Sequence, residues 1–218
     1  MRTHNDPLAE RPVPAPVTCH SQSGGKGWAL LALALLFALP NAWAWSPFGN
    51  GMDDSVSALA VDGTRLYAGG SFFMAGTASV SRVAQWNGSD WSTLGDGLGN
   101  SASCMAHDGS RLYAGGSFSM AGGIPAQYVA AWDGASWTNL GDGLGGYNVY
   151  ALLQHGGNLY VGGDFTNAGG VAANNVAMWN GSSWTNLGNG ITGGYGVFAL
   201  LRDGPNLYAA GTSSSQAG

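Results

Sequence analysis

The stretch that decides the fold is Leu66-Tyr67-Ala68-Gly69-Gly70, because the chain returns to it. It recurs as Leu112-Tyr113-Ala114-Gly115-Gly116, as Leu159-Tyr160-Val161-Gly162-Gly163 and as Leu207-Tyr208-Ala209-Ala210-Gly211, at spacings of 46, 47 and 48 residues. The flanking sequence keeps step. Tryptophan pairs follow at Trp86/Trp91, Trp132/Trp137 and Trp179/Trp184, and behind them come Leu94-Gly95-Asp96-Gly97-Leu98, Leu140-Gly141-Asp142-Gly143-Leu144 and Leu187-Gly188-Asn189-Gly190-Ile191. Self-similarity at this period is the signature of a repeat architecture, in which each unit buries its apolar surface against the next.

Two turn signals divide each unit into four short strands. The first is Asp62-Gly63, Asp108-Gly109, His155-Gly156 and Asp203-Gly204; the second is Asn87-Gly88, Asp133-Gly134 and Asn180-Gly181. Such pairs accept the positive φ angles of a type I′ hairpin turn, whose twist matches its strands. In the first unit the reading expects strand a over Val56–Val61, b over Arg65–Phe72, c over Arg82–Trp86 and d over Asp90–Leu94. An all-β chain with four antiparallel strands per repeat of this length describes a β-propeller blade. Blades are expected over 56–98, 102–144 and 149–191, with residues 45–52 as the last strand of a preceding blade and 197–218 as a truncated one. The glycine doublets inside strand b are expected to permit close approach of neighbouring backbones.

The pattern Leu-Tyr-x-Gly-Gly, the later Val-Ala-x-Trp-Asn-Gly and the closing Leu-Gly-x-Gly-Leu resemble kelch-like propeller repeats. They are closest to those of secreted bacterial propeller proteins and of the fungal cortical marker for cell polarity. The resemblance spans residues 45–218 and implies a blade-built, mostly non-catalytic binding or scaffold module. The kelch tyrosine six residues before its tryptophan is not held consistently, so the likeness is to the wider group. The copper site of galactose oxidase, another kelch-like propeller, needs Tyr, His and a Cys–Tyr crosslink, and no matching constellation is found in these repeats.

Composition narrows the function classes. Of 218 residues 38 are glycine and 9% are charged, with nine tryptophans and a formal net charge of −5. Glycine at this density opposes helical bundles, and an acidic chain lacks the basic footprint of nucleic-acid binding. The first 44 residues read as a secretory signal peptide. Arg2, Arg11 and Lys26 precede the twelve-residue apolar run Trp28–Leu39, and Ala42-Trp43-Ala44 offers a small-x-small cleavage site. The run is too short to span a bilayer, so a secreted or cell-surface protein is expected, with no membrane span after cleavage. Residues 45–218 then hold four Arg, ten Asp, no Lys, no Glu and one cysteine, Cys104, a net charge of −6 without an internal disulfide. Three and a half blades do not close a ring of 4–8, so the reading expects a piece of a longer protein.

Length varies in only one place. Val56 to Leu98, Ala102 to Leu144 and Val149 to Ile191 each span the same 42 positions, so the d–a connections Asp53–Ser55, Gly99–Ser101, Gly145–Asn148 and Thr192–Gly196 absorb the differences. Antiparallel order puts the a–b and c–d turns at one end of a blade and the b–c and d–a loops at the other. Loops on a rigid scaffold are where binding residues sit. The candidate binding residues at the variable end are therefore Asp53, Asp54, Tyr147, Asn148 and Tyr195 from d–a, with Tyr128, Asp164, Asn167 and Asn174 from b–c. Amides and tyrosines suit a protein or carbohydrate ligand, and solvated loops with incidental aromatics are the competing reading. The remaining residues read as structural: the tryptophan pairs as packing, the Gly-Asp-Gly acids as turn residues, Cys104 as a small buried residue in the Ala58/Ala151/Ala199 column, and His107 as half-buried. No catalytic residue, metal site or cofactor is expected. A non-catalytic binding scaffold leads; a non-catalytic part of a larger carbohydrate-active enzyme and a purely structural repeat are the alternatives.

Overall fold

The computed structural model describes residues 50–212; the expected signal peptide and the leading strand at Trp45–Phe48 lie outside them. The described chain is all-β, in antiparallel sheets. The first unit contains β1 (Val56–Val61), β2 (Leu66–Gly70), β3 (Met74–Ala75), β4 (Ala78–Ser79), β5 (Val83–Trp86) and β6 (Trp91–Thr93). The second repeats it with β7 (Ala102–His107), β8 (Leu112–Gly116), β9 (Met120–Ala121), β10 (Ile124–Pro125), β11 (Val129–Trp132) and β12 (Trp137–Asn139). The third has β13 (Leu144–His155), β14 (Asn158–Ala168), β15 (Val171–Ala172), β16 (Val176–Trp179) and β17 (Trp184–Asn186), and β18 (Gly196–Asp203) and β19 (Asn206–Thr212) form a final hairpin.

Each unit is a four-stranded sheet in sequential order, β1-β2-β5-β6, β7-β8-β11-β12 and β13-β14-β16-β17. Val61 pairs with Leu66, Leu66 with Trp86 and Trp86 with Trp91, so one row carries both tight turns at the same end of the sheet. At the other end Val56 pairs with Gly70 and Gly69 with Val83. The expected strand order is thus observed, and strand a of the first unit has the expected bounds.

Two features differ from the sequence expectation. The segment between strands b and c carries a small hairpin, β3–β4 and β9–β10, seated on the turn glycines Gly76 and Gly122 at φ 59° and 55°. In the third unit the connection Gly145–Asn148 is strand, not loop. Gly145 pairs with Asn167 and Asn148 with Asp164, and register shifts at Gly145/Gly146 and Gly146/Asn148 take up the extra residue as bulges. Side-chain-free glycines let the ladder continue where the second unit opens into a turn.

Successive units stack through their first strands, β1 beside β7, β7 beside β13 and β13 beside β18. The glycine doublet makes this possible in two separate ways. A Cβ on Gly115 would lie 2.5 Å from Val149 Cγ1, and one on Gly162 2.6 Å from Val197 Cγ1, both in the following unit. The second glycine answers a different constraint. Every first strand is irregular at the same place, Val56/Ala58, Ala102/Cys104, Val149/Ala151 and Val197/Ala199. The bulge pushes the carbonyls of Ser55, Ser101, Asn148 and Gly196 into the space a Cβ on Gly70, Gly116, Gly163 or Gly211 would need.

Tryptophans lock the outer strands. Trp137 Nε1 donates to the Leu94 carbonyl at 2.8 Å and Trp184 Nε1 to Leu140 at 2.7 Å, each bond joining one unit to the preceding one. The pairs pack at centroid distances of 5.3–5.5 Å with tilted rings. Phe72 and Phe118, just beyond strand b, and Phe165, inside β14, are fully buried, each worth about 1.5–3 kcal/mol in removed apolar surface.

Candidate functional site

The tight-turn end is built from carboxylates and amides that close their own turns. Asp62 Oδ1 accepts from the backbone N–H of Thr64 at 3.0 Å and of Arg65 at 2.8 Å, while its Oδ2 accepts from the Tyr67 hydroxyl at 2.9 Å. Asp108 repeats this with Ser110, Arg111 and Tyr113. In the c–d turns, Asn87, Asp133 and Asn180 accept from the N–H groups two and three residues on. Burial raises the pKa of Asp62 and Asp108, but the donated backbone N–H groups and the tyrosine hydroxyls outweigh it, and both carboxyls end below the ordinary value. Asp133, held mainly by the N–H groups of Ser136 and Ala135, is lowered as well. Burial, then the hydrogen bond to Asp108, pushes Tyr113 up to about 12.

At the variable end the structure sorts the candidate residues into two groups. Most have structural partners. Asp53 Oδ1 accepts from the N–H groups of Phe73 and Met74, both at 2.8 Å, tying the d–a connection to the β3 hairpin. Its pKa is lowered, chiefly by the Met74 N–H. Asp54 turns away to its neighbour, accepting from the N–H and hydroxyl of Ser55. Asn148 accepts from Ser103 Oγ at 3.3 Å across a unit boundary, and Asn174 donates to the Asn189 carbonyl at 2.9 Å. Asp164 and Asn167 are half-buried in β14, as strand residues rather than the loop residues expected. Tyr128 is half-buried against the core between the second and third units.

Tyr147 and Tyr195 stand apart. They are 76% and 80% exposed, the highest of the exposed large hydrophobic residues, and they occupy successive connections into strand a. The Tyr195 backbone N–H donates to Thr212 Oγ1 at 3.0 Å. Packing does not account for either ring.

At this end sequence reasoning named Tyr128 but missed its counterparts Arg82 and Asn175. Arg82, Tyr128 and Asn175 each precede strand c with positive φ, 63°, 73° and 63°. Arg82 Nη1 donates to the Leu98 carbonyl and its guanidinium lies 4.5 Å from the Phe73 ring centre. Asn175 Nδ2 donates to the Ile191 carbonyl at 2.7 Å. The repeat spacing, read column by column, was the signal that would have found them.

The other structural assignments agree with expectation. Cys104 is buried, its Sγ donating to the Val149 carbonyl at 3.6 Å. His107 is half-buried and stacks on Tyr67, centroids 5.9 Å apart and 13° from parallel. Gly97 closes a turn onto the Leu94 carbonyl at 3.0 Å, so Asp96 sits in turn geometry. Among the described residues no group of three or more His, Cys, Asp or Glu could hold a metal ion, and no helix is long and apolar enough to cross a membrane.

Comparison with known proteins places the chain by fold alone. No family model matches the sequence, and no curated protein matches it. Among solved structures it is similar to the crystal structure of the computationally designed Ika4 protein. That likeness covers 77% of this chain and 93% of the other at 12% identity, with a TM-score of 0.53.

Proposed function

We propose that the chain is an exported β-propeller segment that works without catalysis, as a binding or surface-interaction scaffold. The four-stranded units are its blades, and the final hairpin begins another. Supporting this reading are the sequential four-stranded order, the unit-to-unit stacking of first strands, and the repeat period. The signal-like sequence before Trp45 supports export. The binding surface is the variable end, and its contact residues are Tyr147 and Tyr195.

The observation that carries the proposal is the exposure of those two rings. Large aromatics left almost wholly in water suit a ligand-facing role, since tyrosine offers area and a hydroxyl at low conformational cost. The partner is a protein or a neutral carbohydrate, because the end is rich in amides and holds few cations to attract phosphate.

The test is a glycan and extracellular-protein array probed with the purified chain, alongside a Tyr147→Ser/Tyr195→Ser variant. The proposal expects at least one binder that the variant loses while its melting temperature stays unchanged. An array with no binder, or binders indifferent to both tyrosines, would refute it.

A further inference from the structure

In the final hairpin one sheet edge has no partner among the described residues. β2 pairs with β5, β8 with β11 and β14 with β16, whereas β19 pairs with β18 alone. The other units show what register that edge accepts. Leu66 pairs with Trp86 and Gly69 with Val83, Leu112 with Trp132 and Gly115 with Val129, and Leu159 with Trp179 and Gly162 with Val176. One step on, the N–H groups of Gly70, Gly116 and Gly163 donate to the residue before strand c at 2.9–3.0 Å. Val197 pairs with Gly211 as Val56 does with Gly70. The Gly211 N–H therefore faces the open edge, and by strand alternation so do those of Ala209 and Leu207. Nothing along β19 guards that edge: it holds no charge and no proline, and the ladder's bulge lies on β18.

A tryptophan seat belongs to the same edge. Where a c–d hairpin follows, its two tryptophans rest on the preceding unit. A Cβ on Gly95 would meet Trp132 at 3.3 Å and Trp137 at 3.8 Å, and one on Gly141 would meet Trp179 at 3.4 Å and Trp184 at 3.7 Å. Trp137 and Trp184 also donate to the carbonyls of Leu94 and Leu140. The next seat in this series is Leu187–Gly188. Gly188 holds the same φ as Gly95 and Gly141, 59° against 55° and 58°, yet a Cβ on it would meet nothing within 4 Å. Among the described residues the Leu187 carbonyl accepts from the Gly190 N–H alone, at 3.0 Å. Leu187 is half-buried, where Leu94 and Leu140 are buried.

From the open edge and the uncovered seat we infer that β19 and the Leu187–Gly188 turn form a docking site for a tryptophan-paired β-hairpin of another polypeptide. Its first strand adds antiparallel to β19, tryptophan opposite Leu207 and valine opposite Ala210, and main-chain hydrogen bonds supply the affinity. Its first tryptophan covers Gly188, and the indole N–H of the second donates to the Leu187 carbonyl. A second copy stacking β1 against this hairpin is obstructed. Ala210 stands in the column of Gly69, Gly115 and Gly162, whose missing Cβ admits Ala102, Val149 and Val197 of the following unit. The inference goes beyond the variable-end reading and uses neither Tyr147 nor Tyr195.

The probe is a synthetic peptide of residues 175–188, the chain's own third c–d hairpin, titrated into the purified ¹⁵N-labelled chain. Saturable amide shifts are expected at Gly188, Ala209 and Gly211, while Ala68 and Ala114, on edges already paired, stay unmoved. Trp184→Phe in the peptide removes the indole donor and should raise Kd about fivefold, the equivalent of one hydrogen bond. A peptide variant cannot misfold the protein. Ala209→Pro in the protein removes an outward N–H without touching the β18 ladder, a place where an edge strand tolerates proline, and should weaken binding at least as much. No saturable shift, shifts confined to other edges, or equal affinity of the Trp184→Phe peptide would overturn the inference. So would a dimer of the chain through β19 that the peptide does not dissociate, since a second copy would then be the occupant. Tyr147→Ser/Tyr195→Ser leaves this titration unchanged, so failure of the hairpin site and failure of the variable-end proposal are read separately.

Discussion

The contact between Gly115 and Val149 gives the sharpest test of how the units hold together. In Gly115→Ala the new Cβ meets Val149 Cγ1 at 2.5 Å, Cys104 Sγ at 2.8 Å and Val149 Cβ at 3.0 Å. Real Cβ contacts do not approach this closely, and all three opposing atoms are held by paired strands, β7 and β13. No flexible chain end can swing aside, so the two units must separate. Overpacking of this kind costs about 2–3 kcal/mol, which for a chain of this size lowers the melting temperature by about 4–12 °C. Val149→Ala alone should cost a similar about 2–3 kcal/mol, through lost burial and a cavity. It also removes the obstructing methyl groups. The double variant should therefore be more stable than the sum of the two by at least about 1 kcal/mol, measured by denaturant midpoints. The chain contains its own control. Ala210 stands in the same column where no following unit packs against it among the described residues, and Ala210→Gly should change stability by no more than about 1 kcal/mol. If Gly115→Ala melts with the parent, or the double variant is merely additive, inter-unit crowding is not why glycine is there.

The tryptophan clasps should be separable from bulk burial. Trp137→Phe keeps an aromatic ring but leaves the Leu94 carbonyl with the Gly97 N–H alone, a loss of about 0.5–1.5 kcal/mol by urea denaturation, and Trp184→Phe should do the same at Leu140, which keeps the Gly143 N–H. Losses well below that range would mean that the ring, and not the N–H, holds the junction. Acid sensitivity follows from Asp62, Asp108 and Asp133, whose folded pKa values lie below the unfolded 3.8. Their contribution to stability is present above that value and is lost as pH falls through the folded pKa values. Asp62→Asn/Asp108→Asn, which keeps the turn acceptors, should flatten melting temperature against pH below about 4; an unchanged acid limb contradicts the assignment. Tyr113 gives the opposite sign. Its pKa rises from 10.0 to about 12, so its contribution is complete below 10 and fades towards 12, and ultraviolet titration of the folded chain should show one tyrosine ionising that late. Asp53→Ala should free the d–a connection from the β3 hairpin and speed amide exchange at Phe73 and Met74, with little effect on exchange in the third unit.

Local rules carried most of the fold. Asp-Gly and Asn-Gly pairs specify hairpins wherever they stand, because positive φ and a self-accepting side chain are properties of a few adjacent residues. Four copies of the Leu-Tyr-x-Gly-Gly stretch, or its Ala-Gly variant, fixed the strand order before any contact was known. The bounds of strand a in the first unit, the packing of the tryptophan pairs and the place of Cys104 followed from the same columns. The b–c hairpins escaped notice because their two-residue strands are too short to show alternation. The extension of β13 through Gly145 and Gly146 escaped because glycine reads equally as turn or as bulge.

The variable end was legible as a place and not as a set of contacts. That Asp53 is held by two backbone N–H groups of a hairpin twenty residues on, while the Tyr147 side chain stays exposed, depends on which groups folding brings within 3 Å. A cleft beside His107 is a stronger case. Its lining comes from Asp62, Arg65 and Tyr67 in one unit and from His107, Trp132 and Asp133 in the next, and nothing in their spacing along the chain brings them together. The sequence by itself determined the unit, its strands and its ends, since these rest on backbone preferences that act over a few residues. Tertiary structure alone decided which polar groups were left without partners, because a partner can come from any part of the chain.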